Sequence, residues 1–72
     1  MIEYKKPKDL RISVVDNEIV RAYMKRIKDG ESVNPVVLYY RPDLDYFRIQ
    51  DGNHRAAAFK LLGMDVPCEN LR

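Results

Sequence analysis

Hydrophobic and polar positions along this chain alternate with period two in several short stretches and with helical period in one long one. Leu10, Ile12 and Val14 alternate with Arg11, Ser13 and Val15, the pattern of a short first strand with one buried face. From about Glu18 to Asp29 the period changes. Ile19, Val20, Tyr23, Met24 and Ile27 fall within an arc of roughly 140° at the helical period, while Arg21, Lys25 and Lys28 point away. Asp16 or Asn17 can cap this helix and Gly30 can end it.

Asn34-Pro35 opens the next segment, where Val36 to Arg41 is β-branched and aromatic, as strands prefer. Pro42-Asp43-Leu44-Asp45 reads as a turn. Tyr46 to Gln50 then alternates, with Phe47 and Ile49 on one face, so the two segments predict a hairpin. Asp51-Gly52 leads into an alanine- and leucine-rich helix closed by Gly63, and Asp65 to Glu69 reads as a last short strand. Pro67 cannot donate to a ladder, which predicts an edge or irregular position for that strand. The order is strand, helix, strand, strand, helix, strand: an α+β domain with a small mixed sheet of about four strands and two helices.

Seventy-two residues make one domain, spanning 1–72, with no room for a second core. A chain of this size buries only about 60% of the surface its unfolded form exposes. At 46% hydrophobic and 33% charged, with both signs interspersed, the composition is that of a folded protein. The net charge of +2 is too small to imply nucleic acid by itself. One cysteine, Cys68, cannot form an internal disulfide, and no apolar run approaches the roughly 20 residues of a membrane span; together these predict a reducing cytoplasm and no membrane.

Candidate chemistry concentrates at QDGNHRAAAFKLLG, residues 50 to 63. Gly52 permits a positive φ and close approach of a ligand to the backbone. Asn53 is a suitable N-cap, its oxygen accepting from the amides of Arg55 or Ala56. The remaining free amides of the first turn, at the positive end of the helix dipole, make an anion site. Arg55 adds a forked, permanent charge suited to phosphate. On the helical wheel His54, Ala57, Ala58 and Leu61 share one face, and Arg55, Phe59 and Leu62 the next. Each residue also has a plainer reading: Asn53 as a cap alone, His54 as a buried structural histidine, Asp51 as a turn residue, and Arg55 as the partner of Glu69, Asp65 or Asp51. One His and one Cys do not make a zinc set, whereas Asp51 with a ligand's phosphates suits Mg²⁺.

The run KPKDLRIS, the amphipathic helix, SVNPVVLYY and YFRIQDGNHRAAAFKLLGMDVPC together resemble the ParB/sulfiredoxin superfamily, over about residues 5 to 71. The most specific part is Gly52-x-His54-Arg55 with Ala57 or Ala58, Leu62-Gly63 and Val66-Pro67. The resemblance implies a nucleotide, ATP or ADP, with Mg²⁺ as a possible companion and its phosphates at Gly52, Asn53, His54, Arg55 and Ala56. Sulfiredoxins carry Gly-Gly-Cys-His-Arg at this loop, with the cysteine as nucleophile. Asn53 stands in its place here, which argues against sulfinic acid reduction. A free serine kinase branch carries Asp-Gly-His-His-Arg, matched by Asp51, Gly52, His54 and Arg55. By that resemblance the chemistry would be phosphoryl transfer or NTP hydrolysis, with Asp51 orienting metal or water, His54 donating, and Glu18 as the assisting acid near the first helix. ParB proteins share Gly52 and Arg55, and they suggest the alternative of a non-enzymatic DNA-associated module contacting backbone phosphates through Arg21, Lys25, Arg26 and Lys28. A protein partner or a homodimer through the tyrosine-rich VVLYY strand is a third possibility.

Overall fold

In a computed structural model, which describes residues 1–14, 16–44 and 46–71, the chain runs β1 (Ile2–Lys5), α1 (Asn17–Lys28), β2 (Val36–Arg41), β3 (Tyr46–Asp51), α2 (Asn53–Leu61) and β4 (Val66–Leu71), with a 3₁₀ turn at Pro7–Asp9. The four strands form one mixed sheet in the order β1-β4-β2-β3. β2 and β3 make the expected hairpin, and β4 lies antiparallel to β1 and parallel to β2. The α+β class and the order of elements are as the sequence predicts.

The first strand lies elsewhere than expected. Burial does alternate from Leu10 to Val14, with Leu10 buried, Ile12 and Val14 half-buried, and Arg11 and Ser13 exposed. That segment, however, joins the sheet only by a bridge from Leu10 to Phe47, and Val15 and Asp45 lie outside the described residues. The true β1 is IEYK, whose residues other than Lys5 are exposed. An edge strand that buries so little carries no period-two hydrophobic signature.

Helix α1 forms where its period places it. Asp16 is the cap, with Oδ1 accepting from the amides of Glu18 at 2.9 Å and Ile19 at 3.3 Å. The helix ends at Gly30, where φ is +78° and the Glu31 amide donates back to the Arg26 carbonyl.

Strand β4 corrects a second expectation. Pro67 sits in an interior strand, between β1 and β2. The reason is energetic: Val66 and Cys68 are completely buried on the core face, and burying one Val-sized side chain contributes about 1.5–3 kcal/mol. A missing ladder donor costs about 0.5–1.5 kcal/mol, so burial decides the position.

Helix α2 is buried on two sides. Ala56 and Phe59 join the sheet residues Leu38, Ile49, Val66 and Cys68 in one cluster. Ala57 and Ala58 join Val20 of α1 in another. Three alanines in a row let the helix backbone sit close to both neighbours, so α1 stacks chiefly on α2. Leu61 does not share this burial, being 66% exposed. Lys60 is exposed as well.

Cys68 belongs to the core, with Sγ 3.3 Å from the Val66 carbonyl. Burial pushes its thiol up to about 11, so thiolate is scarce at neutral pH. The native chain is therefore expected to resist iodoacetamide at pH 8 and to react only once denaturant unfolds it. Alkylation of the native chain at the rate of a free thiol would contradict this placement.

Candidate functional site

The passage from β3 into α2 turns on Gly52, which occupies the N-cap with φ +105° and ψ 26°. A residue with a side chain would be strained there by about 1–3 kcal/mol. An added Cβ would also stand 2.8 Å from Nη2 of Arg55, whose guanidinium folds back over the glycine. The Gly52 carbonyl accepts from the Ala56 amide at 2.9 Å, the first bond of the helix.

Asn53 is not the cap. It is the first helical residue, and its Oδ1 accepts instead from the Ser13 amide at 2.9 Å. Among the described residues no side chain caps α2, and the amides of Asn53, His54 and Arg55 have no acceptor. The expected capping bond is thus replaced by one that ties the segment after the 3₁₀ turn to the helix start. This leaves the positive end of α2 with its donors free.

Arg55 is committed inward. Nη2 lies 3.3 Å from the Pro35 carbonyl and 3.4 Å from Asp51 Oδ2, and only 11% of the side chain is exposed. Of the partners proposed from sequence, Asp51 is the one realised. Nε of Arg55 and Nε2 of His54 are buried without a hydrogen-bond partner. Ala56 is fully buried and presents only its backbone. Asp51 is exposed apart from its ion pair with Arg55. Glu18, in the first turn of α1, is exposed and forms no hydrogen bond or ion pair with Asp51, His54 or Arg55. Among the described residues no three His, Cys, Asp or Glu side chains gather to hold a metal.

Beside the helix start lies a cavity of about 350 Å³ lined by Arg11, Ser13, Tyr46, Arg48, Ile49 and Asn53. Its polar side chains are hydrogen-bond donors or hydroxyls, with no carboxylate among them. Arg11 stacks on Tyr46 at 4.1 Å from the ring centroid. Neither Arg11 nor Arg48 has an ion pair among the described residues. Asn53 spends its oxygen on Ser13, which leaves Nδ2 as a further donor. Arg11 and Arg48 were not singled out from sequence. They stand far apart in the chain and on unremarkable segments, and the Leu10–Phe47 bridge, the Ser13–Asn53 bond and the stacking of Arg11 on Tyr46 bring them to one place.

The four basic residues of α1 are arranged differently. Arg26 lies 4.0 Å from Glu31 and packs over Tyr23. Arg21, Lys25 and Lys28 are exposed and lack ion pairs among the described residues, making a single basic row on the helix's outer side. No helix among the described residues is long and apolar enough to cross a membrane.

No family model and no curated protein matches the sequence. Solved structures do match. Sulfiredoxin from Arabidopsis thaliana superposes with a TM-score of 0.81 at 19% identity, covering 100% of this chain and 85% of that one. The chain has the sulfiredoxin-like fold. A conserved hypothetical protein from Pyrococcus furiosus shares it, with a TM-score of 0.80 at 20% identity over 97% of this chain. This chain spans 32% of that longer one. In the sulfiredoxin-like fold as built here, the loop at Gly52 holds an asparagine, and the only cysteine of the chain is buried in β4.

Two sources of strain at position 52 can be separated. Gly52→Ala is expected to lower stability by about 1–3 kcal/mol in denaturant melts, through backbone strain and contact with Arg55. In an Arg55→Ala background the contact disappears but the strain stays, so the same substitution should cost less. Equal costs in the two backgrounds would show that Arg55 does not rest on the glycine.

Proposed function

We propose that the domain binds the phosphates of a nucleotide, ATP or ADP, at the first turn of α2. The observation that carries the reading is the set of free amides at Asn53, His54 and Arg55, next to a cavity whose polar wall offers donors from Arg11, Ser13, Arg48 and Asn53. Helix N-termini with unsatisfied amides favour anions, and guanidinium forks add geometry and permanent charge.

The roles differ from those assigned on sequence alone. Arg55 shapes the loop by holding Gly52, Asp51 and the start of β2, and Arg11 and Arg48 supply the outward charge. Mg²⁺ would enter with the nucleotide, since Asp51 offers one carboxylate and the phosphates and retained waters would supply the remaining oxygens. The arrangement supports binding further than catalysis. Of Asp51, His54 and Glu18, only the first two stand at the loop, and Asp51 is paired with Arg55. Sulfinic acid reduction by a loop thiol is not part of the proposal, because position 53 is asparagine and the one thiol is buried.

Calorimetric titration with Mg-ADP tests the reading. Arg11→Ala and Arg48→Ala should each weaken binding by about tenfold or more, the loss of one charge-assisted hydrogen bond. Charge reversal at Lys25 and Arg26 should leave nucleotide affinity unchanged. The reverse result, with duplex DNA binding that falls steeply with salt and is lost on reversal at α1, would transfer the function to the basic row of that helix.

A further inference from the structure

The sheet has two outer strands, and the fold treats their free sides differently. Beside β3 runs the segment from Leu10 to Ser13, held by the Leu10–Phe47 bridge and by the bond from the Ser13 amide to Asn53. Strand β1 has β4 on one side and, among the described residues, no backbone partner on the other. Strand β2, which carries VVLYY, is interior and has no edge to offer.

Pro67 determines which groups the open edge of β1 presents. The two strands are antiparallel, with Glu3 opposite Cys68, Tyr4 opposite Pro67 and Lys5 opposite Val66. Opposed residues in such a ladder alternate between pairs that exchange two hydrogen bonds and pairs that exchange none. Proline has no N–H to exchange, so Tyr4 and Pro67 form a non-bonded pair, and Glu3 and Lys5 carry the bonds to β4. The N–H and C=O groups of Ile2 and Tyr4 therefore point outward. Their side chains lie on the sheet face opposite to the buried Val66 and Cys68, and Tyr4 is 71% exposed and Ile2 45%. An edge of this kind is a template for a further strand.

The charges on β1 select the strand that fits. A second copy of β1 laid antiparallel can match outward groups to outward groups with a two-fold axis at Glu3, Tyr4 or Lys5. An axis at Glu3 sets carboxylate against carboxylate, and one at Lys5 sets ammonium against ammonium. With the axis at Tyr4, each Glu3 stands opposite the second copy's Lys5. Like charges directly opposite each other destabilise a strand pair, and unlike charges stabilise it. Glu3 and Lys5 already lie 3.5 Å apart within one chain, so this register brings two ion pairs together with their signs alternating.

We propose that the domain pairs with a second copy of itself through β1, antiparallel about an axis at Tyr4, giving a continuous sheet in the order β3-β2-β4-β1-β1-β4-β2-β3. Tyr4 exchanges both its backbone hydrogen bonds with Tyr4 of the second copy. Lys6, still extended with φ −73° and ψ 138°, donates its amide to the second copy's Ile2 carbonyl. On the uncovered face the two Tyr4 side chains meet across the axis. The contact is isologous and short, so the dimer belongs to the weak, concentration-dependent class. No residue of β1 lines the cavity at the start of α2, and the proposed phosphate site takes no part in the pairing.

Sedimentation equilibrium of the whole chain, from micromolar to millimolar concentration, tests this with Glu3→Lys and Lys5→Glu, each checked by its amide spectrum to be folded. The unmodified chain should dimerise within that range. Each variant alone sets like charges across the axis and should stay monomeric. Their equimolar mixture restores unlike charges across the axis and should dimerise again. An ion pair that acted only within one chain would stay broken in both variants and give no such recovery. Amide exchange in the unmodified chain reads the register: Tyr4 should gain protection as concentration rises, with Glu3 and Lys5 protected throughout. A chain still monomeric at millimolar concentration, dimers of either variant alone, a mixture that stays monomeric, or Tyr4 exchange independent of concentration would each overturn the proposal.

Discussion

The placement of α2 between the sheet and α1 is the constraint on which the rest depends. A helix buried on two sides has to be thin, and the run Ala56, Ala57 and Ala58 makes it so. Phe59 alone supplies bulk, toward the sheet. With α2 held this way, its N-terminus is fixed at the end of β3 and cannot swing to find a cap. Substituting larger residues at these positions would force overpacking against Val20 on one side or Val36 and Val66 on the other. The position of the candidate site is therefore a consequence of core packing.

Two long-range contacts then settle the chemistry of that N-terminus. The N-cap is Gly52, which has no side chain to offer the helix, and the bond from the Ser13 amide engages the Oδ1 of Asn53 at the first helical position. The folding-back of Arg55 onto Gly52, Asp51 and the Pro35 carbonyl gives the loop its shape and takes the nearest cation out of solvent. What remains facing outward is a turn of free amides and, across the cavity, Arg11 and Arg48. A helix dipole with unsatisfied donors is worth most where such charges add to it.

The sequence made some of this legible. Helix α1 declares itself through Asp16, the arc from Ile19 to Ile27, and Gly30, all local signals. The hairpin does so through its β-branched and aromatic strands. The loop at Asp51, Gly52, His54 and Arg55 is contiguous and was visible as a unit. Other features depend on contacts between distant segments and leave no local trace. Strand β1 has little apolar content and is recognisable only by its pairing with β4. Pro67 points away from a central strand, and only the complete burial of Val66 and Cys68 on either side explains its place. Asn53 has the composition of a cap, and its true partner lies 40 residues earlier. Arg11 and Arg48 carry no local signal, and the Leu10–Phe47 bridge sets their segments together.

We propose that the free amides at the start of α2 bind phosphate. The most direct measurement is an amide NMR titration of the labelled chain with Mg-ADP and, separately, with inorganic phosphate. Saturable shifts are expected with both ligands, largest at the amides of Asn53, His54 and Arg55 and extending to Ser13 and Arg48. Shifts confined to Arg21, Lys25 and Lys28 of α1, or none at millimolar ligand, would contradict it.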